Sequence, residues 1–168
     1  MENPYVLLET NVGDILVELF PEQAPVTVEN FLRYVDDKHY EGTVFHRVVR
    51  GFVNQGGGYD RALAKKPARP CIVNEAYNGL SNTAGTLAMA RAPERDSASD
   101  EFFINAADNV FLDHRDDSDE GYGYAVFGRV VEGMDVVKKI NWKVIKARSG
   151  FDELPAEEVF IISARRFE

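Results

Sequence analysis

Between Phe45 and Gly58 the chain reads Phe-His-Arg-Val-Val-Arg-Gly-Phe-Val-Asn-Gln-Gly-Gly-Gly. That single strand–turn–strand unit puts a permanently charged donor, Arg47, beside an aromatic, Phe52, and an amide, Gln55. A guanidinium carries its donors in a rigid fork and keeps its charge at any ordinary pH. Over an apolar surface its contacts strengthen, because the local dielectric falls. Such a group stabilises charge that develops on a bound carbonyl or amide. A bland reading fits the same residues, with Arg47 a surface charge and Phe52 part of the core. Composition and periodicity alone do not choose between the two.

Other chemistries lack their parts. No Gly-x-Ser-x-Gly elbow occurs, and the lone Cys71 lies in the apolar run Pro70-Cys71-Ile72-Val73, which reads as a small core residue rather than a nucleophile. Gly56-Gly57-Gly58 has neither a Gly-Lys-Ser/Thr ending nor Gly-x-Gly-x-x-Gly spacing. It reads as a turn needing positive φ or close backbone approach. Asp113, Asp116, Asp117, Asp119 and Glu120 lack the ligand ladder of a calcium loop and read as a solvated acidic loop. Lys138, Lys139, Lys143, Lys146 and Arg148 read as the wet face of a helix and its exit loop. One cysteine and three histidines leave little for a zinc site. No metal and no cofactor are expected.

These groups need a scaffold. Tyr5–Thr10 and Asp14–Phe20 flank Asn11-Val12-Gly13 and read as a β-hairpin. Val28, Phe31, Leu32 and Val35 form one apolar stripe at helical spacing, with Pro25 suited to the first turn. Val44–Val49 and Phe52–Gln55 read as strands, residues 59–84 mostly as loop. Thr86–Ala90, Phe102–Ala106, Tyr124–Val131 and Val159–Ala164 supply further strands. Met134, Val137 and Ile140 mark a second short helix in Gly133–Trp142. Many short strands with two separated helices predict a mainly β barrel or sandwich with helical caps, and disfavour a doubly wound nucleotide fold.

The chain has 168 residues, 45% of them hydrophobic and 28% charged, which predicts a single globular domain over 1–168. Its net charge of −9 disfavours nucleic acid and anionic membranes as partners. Met1-Glu2-Asn3-Pro4 begins no positive, then apolar, leader, and the lone cysteine fits a reducing compartment. A cytoplasmic monomer is expected.

The 45–58 segment resembles the signature of the cyclophilin family of peptidyl-prolyl cis-trans isomerases. Three further blocks follow in family order: Asn82–Arg91; Phe102–Asn105 with Phe111-Leu112-Asp113; and Tyr124–Val130 with Gly133–Val137. The resemblance runs from about Tyr5 onward, and the bacterial branch is the more similar. It implies an eight-stranded antiparallel β-barrel capped by two α-helices, packed inside, with the substrate groove on its outer surface. It implies rotation about X-Pro peptide bonds, assistance to protein folding, and partners that are proline-containing peptides or unfolded and partly folded proteins.

Carried over residue by residue, the resemblance makes Arg47 the catalytic arginine and Gln55 the glutamine that orients it. Phe52 becomes the floor of the proline pocket, with Val53 in place of a frequent Met. Ala90 and Arg91 fall on the segment whose backbone pairs with peptide, and Phe103 and Leu112 are further walls. Phe111 and Tyr124 stand where many eukaryotic members carry Trp and His, so cyclosporin binding is expected to be weak. Glu101 stands where Gln is usual, and pairing with Arg91 or another nearby arginine is one expectation for it. Two other functions compete with an active isomerase: a proline-peptide binding module, and a ligand-carrying barrel of the lipocalin sort. Arg47 and Gln55 favour the isomerase, since binding alone needs only the apolar pocket.

Overall fold

The computed structural model describes residues 2–168. The first hairpin pairs β1 (Tyr5–Thr10) with β2 (Asp14–Leu19), and α1 (Pro25–Asp36) follows with Pro25 in its first turn. Buried Glu75 accepts hydrogen bonds from the Thr27 amide and hydroxyl, both at 2.7 Å, and so serves the donors that α1 leaves open. Next come β3 (Arg47–Val49), β4 (Val53–Gly56), β5 (Thr86–Met89), β6 (Phe102–Asn105) and β7 (Val126–Glu132). Helix α2 (Met134–Asn141), β8 (Ile145–Arg148), β9 (Phe151–Pro155) and β10 (Ile161–Phe167) complete the chain.

Eight strands form one antiparallel sheet in the order β10-β1-β2-β7-β5-β6-β4-β3, and β8-β9 form a separate pair. The large sheet curls until its edges approach. The Phe45 amide donates to Val159 and the Ile161 amide to Thr43, with a bridge between Val44 and Phe160. Side chains alternate across each strand. Leu87, Met89, Phe102 and Ile104 therefore point inward with Val6, Leu8, Phe31, Phe45 and Phe127, all buried in one core. Ala88 and Phe103 point outward with Val53 and Val126, forming a second apolar cluster on the other face. Side chains fill the interior, which eliminates the lipocalin-like reading.

Three local expectations need correction. Cys71 is exposed, not core. It lies on an extended surface segment beside Pro67 and Pro70, anchored where Ile72 bridges Ala98. Lys146 and Arg148 belong to strand β8, not to a loop. All of β8 is exposed, so no apolar alternation marks it in the sequence. Asp113 is structural: its carboxylate accepts from the Asn82 amide at 2.7 Å and the Ser81 hydroxyl at 2.5 Å.

Candidate functional site

Register builds the site. Arg47 pairs with Gln55 between β3 and β4, Gln55 with Phe103 between β4 and β6, Phe103 with Ala88 between β6 and β5, and Ala88 with Val126 between β5 and β7. Directly opposed residues share a face. One rung across five strands thus sets the guanidinium, the amide and the pocket wall in line on the outer surface.

Above that rung lies a groove of about 340 Å³. Arg47 and Gln55 form its polar end, and Phe52, Val53, Phe103 and Leu112 its apolar side. Ala90, Arg91 and Tyr124 complete the lining. Ala90 and Arg91 lie just beyond β5, where the Ala90 amide donates to the Glu101 carbonyl at 3.0 Å. Tyr124 packs edge-on against Phe103, with ring centroids 5.7 Å apart. Phe111 stands at the rim, 61% exposed, its ring stacked on Phe52 at 5.7 Å.

Arg47 is held on two sides. Its Nε donates to Glu153 Oε1 at 3.1 Å and its Nη1 to Gln55 Oε1 at 3.4 Å. Its guanidinium carbon sits 5.8 Å from the centre of the Phe52 ring. Among the described residues Nη2 has no hydrogen-bond partner. Gln55 Nε2 donates in turn to Glu101 Oε1 at 3.1 Å.

Glu101 does not pair with Arg91. Its partners are His46, whose Nε2 lies 3.2 Å from Oε1, and Lys65, whose Nζ lies 3.5 Å from Oε2. Burial pushes the Glu101 carboxyl up, but the His46 and Gln55 contacts and the Lys65 charge outweigh it and hold it below the ordinary carboxylate range. Arg91 is committed elsewhere: its Nε donates to the Gly123 carbonyl and its Nη2 to the Asp119 carbonyl, with the guanidinium over Tyr124 at 4.7 Å. It pins the acidic loop, whose neck closes where the Tyr124 amide donates to Leu112.

Several contributors escaped the sequence reading. Glu153 comes from β9. His46 is buried between the Tyr59 and Phe151 rings, with no partner for Nδ1 among the described residues. Beneath the turn at Arg50-Gly51, Asn141 of α2 accepts from the Gly51 amide and donates to Val49 and Asn54. Asn109 donates to the Phe52 carbonyl at 3.0 Å and to Asn105 Oδ1 at 2.8 Å. A buried asparagine gives no hydropathy signal. Only the rule that buried polar groups are paired points to these residues, and only after burial is known.

Known proteins share this architecture. Residues 5–166 match the family model described as cyclophilin type peptidyl-prolyl cis-trans isomerase/CLD. The chain is 49% identical over 159 residues to peptidyl-prolyl cis-trans isomerase B of Escherichia coli (strain K12), covering 94% of this chain and 96% of that protein. It is 48% identical over 160 residues to peptidyl-prolyl cis-trans isomerase cyp18 of Streptomyces antibioticus, covering 95% and 96%. Among solved structures, a Cryptosporidium parvum cyclophilin type peptidyl-prolyl cis-trans isomerase in the presence of the dipeptide Ala-Pro superposes with a TM-score of 0.79. That pair is 25% identical and covers 98% of this chain and 99% of the other.

Proposed function

This chain belongs to the cyclophilin-type peptidyl-prolyl cis-trans isomerases, and from that premise we propose that Arg47 catalyses rotation about X-Pro bonds held in the outer groove. The observation that carries this is the placement of the Arg47 guanidinium beside the Phe52 ring, with Nη2 uncommitted.

Rotation about a peptide bond is opposed by amide resonance, a barrier of about 18–20 kcal/mol. Cis and trans X-Pro forms differ by only about 0.5–1 kcal/mol, yet exchange takes roughly 10–100 s. The obstacle is kinetic, and no covalent bond changes. In the twisted transition state resonance is lost and the prolyl nitrogen becomes pyramidal, with a localised lone pair. A guanidinium donates to that nitrogen more strongly than to the planar amide, which is differential binding of the transition state. Phe52, Phe103 and Leu112 hold the proline ring while the acyl side turns. Reaching about 10³ s⁻¹ requires roughly 5–7 kcal/mol, within reach of a charge-assisted donor and restricted geometry.

The substrates of this reading are proline-containing segments of unfolded or partly folded chains, and the cellular role is assistance to folding. Phe111 at the rim offers no indole donor, which supports weak cyclosporin binding. The test is exchange spectroscopy on an X-Pro peptide. Arg47→Ala is expected to lower kcat/KM by about 100-fold or more, with an unchanged circular dichroism spectrum. Turnover close to the unsubstituted protein would overturn the role given to Arg47.

A further inference from the structure

We propose that Glu101 is a positioning residue that decides which end of the Gln55 amide meets Arg47; the proposal rests on the isomerase role of Arg47 and deepens it. A glutamine amide has a donor end and an acceptor end of nearly equal shape, so its orientation follows from its neighbours. Arg47 Nη1 can only donate, and it lies 3.4 Å from Gln55 Oε1. An ionised carboxylate can only accept, and Glu101 Oε1 lies 3.1 Å from Gln55 Nε2. Rotating the amide by half a turn would set NH₂ against the guanidinium and oxygen against the carboxylate. Both ends forbid it.

A neutral amide at position 101 would not supply the same constraint. Oε1 of Glu101 is met by two groups, Gln55 Nε2 and His46 Nε2, while Oε2 faces the Lys65 ammonium at 3.5 Å. In Glu101→Gln, one orientation brings the new NH₂ toward Lys65, and the other turns it on His46 and the Gln55 donor. In the second orientation only the Arg47 donor, at 3.4 Å, still holds the Gln55 oxygen in place, so the amide is fixed from one end instead of two. The backbone also makes room for the side chain at position 101. A Cβ on Gly58 would lie 2.6 Å from Glu101 Cγ and 2.8 Å from Oε2, so the side chain occupies space that only glycine leaves.

The experiment compares Glu101→Gln with Arg47→Ala and the unsubstituted protein, using exchange spectroscopy on an Ala-Pro peptide and the ¹⁵N–¹H signals of the Gln55 side-chain amide. Glu101→Gln is expected to lower kcat about tenfold with KM within about twofold. The Gln55 NH₂ proton that faces the carboxylate moves upfield as that bond is lost. A structural role alone would lower the melting temperature and leave that signal in place in the folded fraction. Full kcat in Glu101→Gln, or an unmoved Gln55 signal, overturns the proposal. If Arg47→Ala is also fully active, the isomerase reading of Arg47 has failed first; if it is inactive, only the positioning role has failed. Should Glu101→Gln not fold, Glu101→Asp, which retracts the carboxylate by one methylene, is read by the same two measurements with the same expectations.

Discussion

At the scale of single residues, the site is a line of groups each of which fixes the next. Lys65 and His46 face Glu101, Glu101 holds Gln55, and Gln55 with Glu153 holds Arg47. The guanidinium is therefore held in place by the fold itself, and on the proposed role of Arg47 less ordering would be required at the moment of reaction. Gly58 gives this line a second test. Gly58→Ala keeps every charge but forces Glu101 aside, because its Cβ would come within 2.6 Å of Cγ. It is expected to cost about 1–3 kcal/mol of stability and to lower kcat while leaving KM close to its starting value, read by chemical denaturation and peptide exchange. Arg47, Phe52 and Gln55 were legible because one short sequence contains all three. The partner of Glu101 was not, since Lys65 and His46 reach it from separate loops and nothing in their spacing says so.

Elements matter because α2 braces the β3–β4 unit, while the 3₁₀ turn Val110–Leu112 stands at the rim of the groove. Asn141 ends α2 and serves four groups of the β3–β4 unit: the Gly51 amide, the Val49 and Val53 carbonyls and Asn54. Asn141→Ala would leave those groups short of partners in a buried setting, at a cost of about 1–3 kcal/mol each where no water replaces them. The expected result is a lower denaturation midpoint together with weaker peptide binding, as the turn that carries Phe52 loosens; titration calorimetry and urea unfolding measure the two. Both helices and the strands of the large sheet were readable from apolar period. The β8–β9 pair was not, for its first strand is exposed throughout and rich in lysine and arginine. Glu153 reaches Arg47 from that unread pair, so the missed element and the missed residue have one cause.

For the whole molecule, the balance of charge sets how folding responds to pH. Asp100 is almost fully buried; burial pushes its carboxyl up, but hydrogen bonds from His39 and Lys65 more than compensate and hold it below the ordinary range. Glu101 shifts the same way. A carboxyl lowered by folding contributes stability that is present above its unfolded pKa and is lost as pH falls through the folded one. The fold should hold at neutral pH and weaken below the ordinary carboxylate range. Asp100→Asn removes one of these groups. It is expected to destabilise the protein by about 1–3 kcal/mol at neutral pH and to flatten the acid side of the melting temperature profile, followed by calorimetry from about pH 7 down to about pH 3. A profile parallel to that of the unsubstituted protein would show that Asp100 does not carry the acid response.

The packed interior has one more effect. Because side chains fill the interior of the barrel, the groove lies on its outside wall, and a wall has no mouth through which a chain must be threaded. On the proposed function, a proline in the middle of a long polypeptide would be set down sideways, with both flanks trailing into solvent, turned, and lifted off again. Such a groove would require neither a free end nor a short ligand.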